Sequence, residues 1–241
     1  MKNIADVDRT AKVYKSEILN GWEGLYREKR RRLYEVLSRY WVGDAALELG
    51  IADGESTRYI VERFEHVEVV DASDEFIGSI KERFPGILAH QCYFEQFSPD
   101  RKFSSIFMTH ILEHLDDPLV LLNRAYEWLE EDGVALISVP NALSLHRLVG
   151  VKMGLLDTPY SLNDQDIKLG HRRVFDRQSM ADLVADTKFS IKHFTGLMLK
   201  PLSNRQIQRD WDDKIVDAFF QVGFDFPELC SEIIFVLGKQ Q

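Results

Sequence analysis

The chain has 241 residues, of which 45% are hydrophobic and 29% are charged, and its net charge at pH 7 is −9. This length can bury the core of one enzyme, so we expect a single domain over residues 1–241. The acidic balance argues against general binding to nucleic acid. The two cysteines form no disulfide or metal-knuckle pattern, the N-terminus is polar, and no apolar run could cross a bilayer. We therefore expect a cytoplasmic protein without a membrane partner, active as a monomer or homodimer.

The first segment, residues 1–42, is predicted to form a helical cap on the domain. Helical periodicity covers residues 14–40. Its candidate inward positions are Trp22, Leu25, Tyr26, Leu33 and Leu37. An apolar stripe is formed by Leu25, Leu33, Val36 and Leu37. We interpret the adjacent basic run at residues 27–32 as the solvated face of the same helix.

From residue 45 onward, short apolar runs alternate with segments of helical periodicity. The predicted strands are Ala45–Leu49, Val67–Val70, Ile87–His90, Ser105–Thr109 and Val134–Val139. The predicted helices between them are Thr57–Phe64, Asp74–Arg83 and Pro118–Leu129. Asp117 before Pro118 favours a helix start, and Asp132-Gly133 favours a helix end. This alternation predicts an α/β fold with a doubly wound parallel sheet.

Two insertions interrupt the alternation. Residues 141–175 are rich in leucine and valine, and a long irregular segment in a compact domain is usually functional. We interpret this segment, and a second one at residues 201–227, as lids over a pocket. The remaining predicted elements are a helix at Asp176–Thr187, a strand near Ser190–Leu199, a helix at Trp211–Val222 and a last strand at Cys230–Leu237.

The turn after the first predicted strand is the most informative local pattern. Gly50 can adopt positive φ, and Ala52 and Gly54 carry almost no side chain, so the backbone can approach a ligand closely. The helix that follows Gly54 offers free backbone N–H groups. Asp71 ends the second predicted strand, where a carboxylate can accept both hydroxyls of a ribose. These residues predict a nucleoside-containing cofactor.

The turn lacks the third glycine of the dinucleotide fingerprint, which disfavours a pyrophosphate and suits S-adenosylmethionine. At this point the sequence resembles the class I S-adenosylmethionine-dependent methyltransferases, in particular those that act on small molecules such as quinone precursors and sugars. The residues that carry the resemblance are 47–54, Val69-Val70-Asp71, 103–118 and Gly133 through Asn141.

The resemblance implies a Rossmann-like sheet of seven strands in the order 3-2-1-4-5-7-6, with the last strand antiparallel. It implies S-adenosyl-L-methionine as cofactor, bound by Tyr14, Glu48, Gly50, Ala52, Gly54, Asp71, Ala72, Tyr93, Phe94, Thr109 and His110. The small residues of the turn would approach the methionine part, with Glu48 acting at the turn. Tyr93 stands where relatives often place an acid, so stacking or a backbone contact to adenine is expected there. Thr109 and His110 would lie beneath the sulfonium end.

Two histidines are candidate catalytic residues, because a hydroxyl acceptor must lose its proton and histidine is the usual base. His171 follows the long insertion, and His110 follows the fourth predicted strand. His110, Glu113 and His114 also have the spacing of metal ligands on a helix. We expect no metal, because the segment need not be helical and no other acid is clearly placed nearby.

The sequence therefore predicts methyl transfer from S-adenosylmethionine to a small polar metabolite, with O-methylation of a sugar or a similar acceptor preferred. N- or C-methylation of a small molecule or peptide is the first alternative. An NAD-dependent oxidoreductase and a non-catalytic cofactor-binding subunit are alternatives from other classes. Cofactor affinity without turnover on any acceptor would indicate the binding subunit.

Overall fold

A mixed β-sheet forms the centre of the molecule, which a computed structural model describes at residue 12 and residues 23–240. Its strands are Ala45–Leu49 (β1), His66–Asp71 (β2), Leu88–Gln91 (β3), Phe103–Thr109 (β4), Leu129–Pro140 (β5), Phe189–Leu197 (β6) and Glu232–Lys239 (β7). The seven strands lie in the order β3-β2-β1-β4-β5-β7-β6. Pairing is parallel from β3 to β5, and β7 is antiparallel to both β5 and β6. The predicted strand order and antiparallel last strand are confirmed.

Helices connect the strands and cover both faces of the sheet. In the described part of the chain they are Glu23–Leu37 (α1), Glu55–Val61 (α2), Asp74–Arg83 (α3), Pro118–Trp128 (α4), Leu145–Lys152 (α5), Asp164–Lys168 (α6), Arg177–Ala185 (α7), Asn204–Asp210 (α8) and Asp213–Gly223 (α9). Short 3₁₀ helices occur at Ser38–Tyr40, Phe94–Gln96, Leu112–His114 and Pro227–Leu229. None of these helices has the length and apolar character needed to span a lipid bilayer.

Alternate side chains of the central strands enter two separate hydrophobic cores. In β1, Leu47 and Leu49 pack with residues of α4 and α7, whereas Ala46 packs with residues of α1, α2 and α3. A strand buried on both faces needs apolar side chains at nearly every position. This explains why the inner strands appear in the sequence as continuous apolar runs, and it confirms the doubly wound arrangement.

Helix α1 packs its predicted apolar stripe into one of these cores, with Leu37 fully buried. The prediction that its basic residues form a solvated face is wrong. Ion pairs join Lys29 to Glu232, Arg30 to Asp53, Arg31 to Glu28 and Glu35, and Arg32 to Glu28 and Asp217. Carboxylates from other segments meet this face because α1 crosses the sheet instead of standing apart from it. The earlier part of the predicted cap, including Tyr14, lies outside the described residues.

Strand β5 begins at Leu129 instead of Val134, because a wide bulge replaces the predicted turn. Phe103 pairs with Leu129 and Ser105 with Val134, so residues 130–133 lie opposite Ser104 alone. Gly133 is buried in this bulge, where an added Cβ would lie 3.0 Å from the carbonyl oxygen of Ser104. The predicted helix end at Asp132-Gly133 is therefore wrong, and α4 ends at Trp128. Its start is confirmed, since Asp117 Oδ1 accepts the N–H of Leu119 at 3.0 Å.

The first insertion is closed at its base. Asn141 forms an isolated parallel bridge with Phe175, and the N–H of Ala142 donates to the Phe175 carbonyl at 2.7 Å. The Asn141 side chain also donates to the carbonyls of Glu228 and Cys230, at 2.8 Å each. Between these ends the insertion contains α5 and α6, so it is partly helical.

The second insertion contains two helices, α8 and α9, where the sequence predicts one at Trp211–Val222. The Asp212 side chain accepts the N–H of Ile215 at 2.9 Å, which starts a new helix. That both insertions act as lids stays a prediction.

Candidate active site

The segments that follow β1, β2, β3 and β4 meet at one edge of the sheet. β1 and β4 are neighbours there, although β2 and β3 separate them in the chain. Open α/β sheets bind ligands in the crevice at such a switch point. The structure thus brings most of the predicted cofactor residues, from four separate segments, to one place.

Gly50 forms the floor of this crevice. It has φ 75°, its N–H donates to the Val70 carbonyl at 2.9 Å, and an added Cβ would overlap the Ile111 side chain. The ring of Phe94 also approaches this position, 3.9 Å from where the Cβ would lie. Glycine is therefore required both by the backbone conformation and by the close neighbours. The turn is a narrow cradle lined by backbone.

Asp71 joins the end of β2 to this turn. One carboxylate oxygen accepts the N–H of Ile51 at 3.0 Å, and the other accepts the N–H of Ser73 at 2.8 Å. Asp71 is buried, and the neighbouring Ala72 is half-buried. Each carboxylate oxygen has two lone pairs, so both can accept a further hydrogen bond from a ribose hydroxyl.

The other small residues of the turn have different roles. Ala52 adopts φ 45°, which is uncommon for a residue with a side chain and matches a backbone shaped for close approach. Gly54 has φ 73°, but a Cβ there would overlap Ile80 of α3. Because Gly54 has no side chain, helix α3 can pack closely against the turn. Gly54 therefore has a packing role, and its predicted contact with the cofactor stays a prediction.

Glu48 lies beneath the turn and is fully buried. The hydroxyl of Thr57 in α2 donates to its Oε2 at 2.6 Å, whereas Oε1 has no hydrogen-bond partner among the described residues. Burial raises the pKa of Glu48 to about 7. Thr109 lies nearby on β4 with its hydroxyl 3.4 Å from the Tyr34 hydroxyl. Direct contact of Glu48 or Thr109 with the cofactor stays a prediction.

The predicted adenine side follows β3. The N–H of Cys92 donates to the Asp71 carbonyl at 3.2 Å, which fixes the start of this segment beside β2. Tyr93 precedes the short helix Phe94–Gln96 and is half-buried, and Phe94 packs toward Gly50. An aromatic ring beside the glycine turn is compatible with the predicted stacking contact.

His110 is held between two buried carboxylates. Its Nε2 lies 3.1 Å from Glu232 Oε2, and its Nδ1 lies 3.3 Å from Glu113 Oε1. Burial alone would lower the pKa of His110, but the charges of Glu232 and Glu113 outweigh it and raise the pKa to about 9. The ring is therefore an imidazolium near neutral pH and has no lone pair to accept a proton. This charge state argues against His110 as the general base.

His171 occupies a different environment, near the end of the first insertion. Its Nδ1 lies 3.3 Å from Asp166 Oδ1, and its backbone N–H donates to the Asp166 carbonyl at 2.9 Å. The His171 ring meets the His114 ring edge to face, with centroids 4.7 Å apart. The Asp166 carboxylate thus lies near His171 Nδ1, although this nitrogen forms no hydrogen bond among the described residues. A nearby buried carboxylate is compatible with a histidine base.

Glu113, His114 and His171 also form a buried or half-buried group that could hold a metal ion. One ligand atom from each lies within 4.8 Å of the other two. Both Glu113 side-chain oxygens are buried without a hydrogen-bond partner in the described part of the chain. The trio differs from the one that spacing suggests, because His171 takes the place of His110.

Two acids that complete this site are not identified by sequence reasoning. Glu232 is a single charge at the start of the apolar run Ile233–Leu237, and Asp166 lies near a helix start capped by Asn163. A lone acid beside a buried strand is the one signal that could have drawn attention to Glu232. Asp166 carries no such signal, because acids are common in the first turn of helices.

Comparisons with known proteins agree with this geometry. A methyltransferase domain model matches residues 25–193. A trans-aconitate 2-methyltransferase of Azoarcus sp. (strain BH72) is 30% identical over 117 residues, 47% of this chain and 46% of that protein. A malonyl-[acyl-carrier protein] O-methyltransferase of Ilyobacter polytropus is 24% identical over 63% of this chain and 58% of its own length. The chain thus spans about half the length of the curated relatives it matches.

Solved structures share the fold over nearly the whole chain. The N-methyltransferase NodS from Bradyrhizobium japonicum, solved with S-adenosylhomocysteine, aligns over 97% of this chain and 100% of its own with a TM-score of 0.59 and 14% identity. The plantazolicin methyltransferase BamL, also solved with that product, aligns over 99% and 97% with a TM-score of 0.63 and 14% identity. The chain belongs to the methyltransferase domain family. Its fold is shared with methyltransferases solved with S-adenosylhomocysteine, which disfavours the alternative of a nicotinamide-dependent oxidoreductase.

Proposed function

We propose that the protein transfers a methyl group from S-adenosylmethionine to a hydroxyl of a small polar acceptor, such as a sugar or a related molecule. The observation that carries this proposal is that His171 Nδ1 lies 3.3 Å from the Asp166 carboxylate, within an insertion that begins and ends beside the cofactor crevice. A base held in this way serves an acceptor that must lose a proton. A neutral amine would not need it.

The residues of the crevice fit S-adenosylmethionine. Gly50 adopts φ 75° in a turn packed against Ile111 and Phe94, and Asp71 presents a carboxylate at the end of β2. The cofactor supplies a methyl group already activated by a positively charged sulfur, so the chain itself must position the acceptor, exclude water and remove one proton.

Positioning and proton removal have known magnitudes. Alignment of two reactants can contribute about 7–11 kcal/mol to lowering a barrier, and a well-placed base about 10²–10⁴ in rate. His171 would take the acceptor proton, and Asp166 would fix its ring and stabilise the imidazolium that forms. His110, cationic between Glu113 and Glu232, would contribute charge and orientation instead of basicity.

Names of relatives support oxygen as the receiving atom. The Ilyobacter relative is named an O-methyltransferase, and it shares more sequence with this chain than the N-methyltransferase NodS, which supports the fold alone. Methylation of nitrogen or carbon remains the alternative, and a non-catalytic binding subunit is the alternative of another class.

The test combines cofactor binding with turnover. S-adenosylhomocysteine binding by calorimetry comes first, followed by product detection by mass spectrometry with a panel of sugars, hydroxy acids and amines. On the accepted hydroxyl substrate, His171→Asn should lower kcat by about 10²–10⁴ with unchanged cofactor affinity. His66→Asn is the matched control, because His66 is exposed at the start of β2. Normal turnover of His171→Asn would refute the base, and cofactor binding without turnover on any acceptor would favour the binding subunit.

A further inference from the structure

Two lysines from distant parts of the chain converge on Glu232. Lys29 of α1 forms an ion pair with Glu232 Oε1, while Glu232 Oε2 faces His110. Lys200 follows β6, whose last residue, Leu197, pairs with Glu232 in register. The charges of Lys29 and Glu232 both act on Lys200, so the three side chains lie within electrostatic range of one another.

Lys200 is a buried cation without a carboxylate of its own. It is 6% exposed, and its Nζ donates to the neutral side chain of Asn204. Within the described residues no ion pair joins it to an acid. Burial, reinforced by the charge of Lys29, lowers the pKa of Lys200 to about 7. A buried ammonium in this position is unfavourable unless an anion joins it.

In the described part of the chain, one positive charge of the surrounding group has no carboxylate partner. Four cationic side chains, Lys29, Lys200, Arg147 and His110, face three carboxylates, Glu232, Asp166 and Glu113. Arg147 and His146 come from α5 of the first insertion, and the buried Nδ1 of His146 has no hydrogen-bond partner among the described residues. A polar group from a ligand could therefore bind between the insertion and the two lysines.

We propose that Lys29 and Lys200 form an anion subsite that holds a carboxylate of the methyl acceptor. This inference rests on the proposed function, because the anion belongs to the molecule being methylated. A carboxylate fits better than a phosphate, since its single charge balances the single excess charge. The acceptor is then a hydroxy acid or sugar acid, with its hydroxyl directed to His171 and its carboxylate anchored on the lysines.

The experiment uses the full chain with lysine side chains labelled with ¹³C at the ε position, studied by NMR. Glycolate is the probe, glycolamide is its neutral counterpart, and inorganic phosphate is the alternative anion. Glycolate should shift the Lys29 and Lys200 signals saturably, and binding should weaken by about tenfold or more in Lys200→Met. Lys152→Met is the matched control, because Lys152 is an exposed lysine at the end of α5.

Three results would overturn the subsite: no saturable shift with glycolate, equal binding of glycolamide, or tighter binding of phosphate than glycolate. A shift of Lys200 on adding S-adenosylhomocysteine alone would assign the lysines to the carboxylate of the cofactor, and would also overturn it. The two proposals fail separately. Absence of S-adenosylhomocysteine binding refutes the proposed function, whereas the glycolate response reports on the lysines in either case.

Discussion

The carboxylate of Asp71 accepts the backbone N–H of Ile51 at 3.0 Å, so the acid that ends β2 holds the turn that ends β1. A second bond, from the N–H of Ser73, fixes its other oxygen. The same carboxylate thus shapes the crevice in which we propose that the ribose binds. Loss of Asp71 should affect the turn and the cofactor together.

Asp71→Ala is expected to weaken S-adenosylhomocysteine binding by about 1–3 kcal/mol, because partner groups are left without hydrogen bonds. Asp71→Asn should recover part of the loss, since an amide oxygen can still accept one backbone bond. Calorimetry measures both. Asp74→Ala, on the exposed first turn of α3, is the control and should bind normally. Unchanged affinity in Asp71→Ala would move the ribose contact to another residue.

Gly50→Ala should lower the stability by about 1–3 kcal/mol and also abolish detectable cofactor binding, because the new Cβ meets Ile111 in a left-handed backbone. The double variant Gly50→Ala/Ile111→Ala relieves the overlap but keeps the backbone strain, so it should recover only part of the stability. Thermal unfolding followed by circular dichroism measures this. Full stability of the single variant would show that the turn can rearrange.

The imidazole of His110 should titrate near pH 9, as NMR of its ring protons can measure. Glu232→Gln should lower that midpoint, because it removes the carboxylate charge that raises the pKa of His110 most. Since the folded pKa lies above the unfolded value, the stabilisation is fully present below about pH 6.5 and is lost as pH rises through about 9.

At Lys200 the contribution to stability should change with pH in the opposite direction, because its folded pKa of about 7 lies below the unfolded value. Its burial penalty is relieved as pH rises from about 7 toward 10.5. The two groups act in overlapping ranges, so the useful quantity is the difference in unfolding free energy between wild type and His110→Asn. That difference should shrink between neutral pH and pH 9. A constant difference would contradict the ion pairing of His110.

Metal removal should leave the activity unchanged, since we expect catalysis without a metal. The convergence of Glu113, His114 and His171 makes this prediction worth testing directly. Elemental analysis of the purified protein, with activity before and after dialysis against a chelator, provides the test. A stoichiometric ion that disappears in Glu113→Gln, together with activity restored by one metal, would show that His171 is a ligand and not a base.

The inner strands could be predicted from sequence because burial on both faces leaves a continuous apolar run, as at β1, whose predicted bounds Ala45–Leu49 match the structure. The start of α4 could also be predicted from sequence, because Asp117 and Pro118 are local signals of a helix start. The bulge at residues 130–133 was not, since it depends on how β5 pairs with Ser104 of a distant strand.

The residues of the candidate site also divide into those that the sequence could predict and those that it could not. Gly50 and Asp71 lie in local patterns whose backbone geometry dictates the residue type. Glu232 contacts His110 from 122 residues away, and Lys200 acquires its unusual environment only through burial beside Lys29. Sequence spacing carries no record of such contacts, so it suggested His110 as a base without showing the carboxylates that keep it charged.

The bridge between Asn141 and Phe175 closes the first insertion at its base, so the insertion can vary in length and sequence during evolution. Both ends are fixed beside β5 and β7, so the sheet does not depend on what lies between them. The entropy of closing a loop rises only slowly with its length, by about 0.6 kcal/mol for each doubling. Relatives could therefore exchange or lengthen residues 153–163, between α5 and α6, and thereby change the acceptor they recognise, while keeping His171, Asp166 and the cofactor crevice.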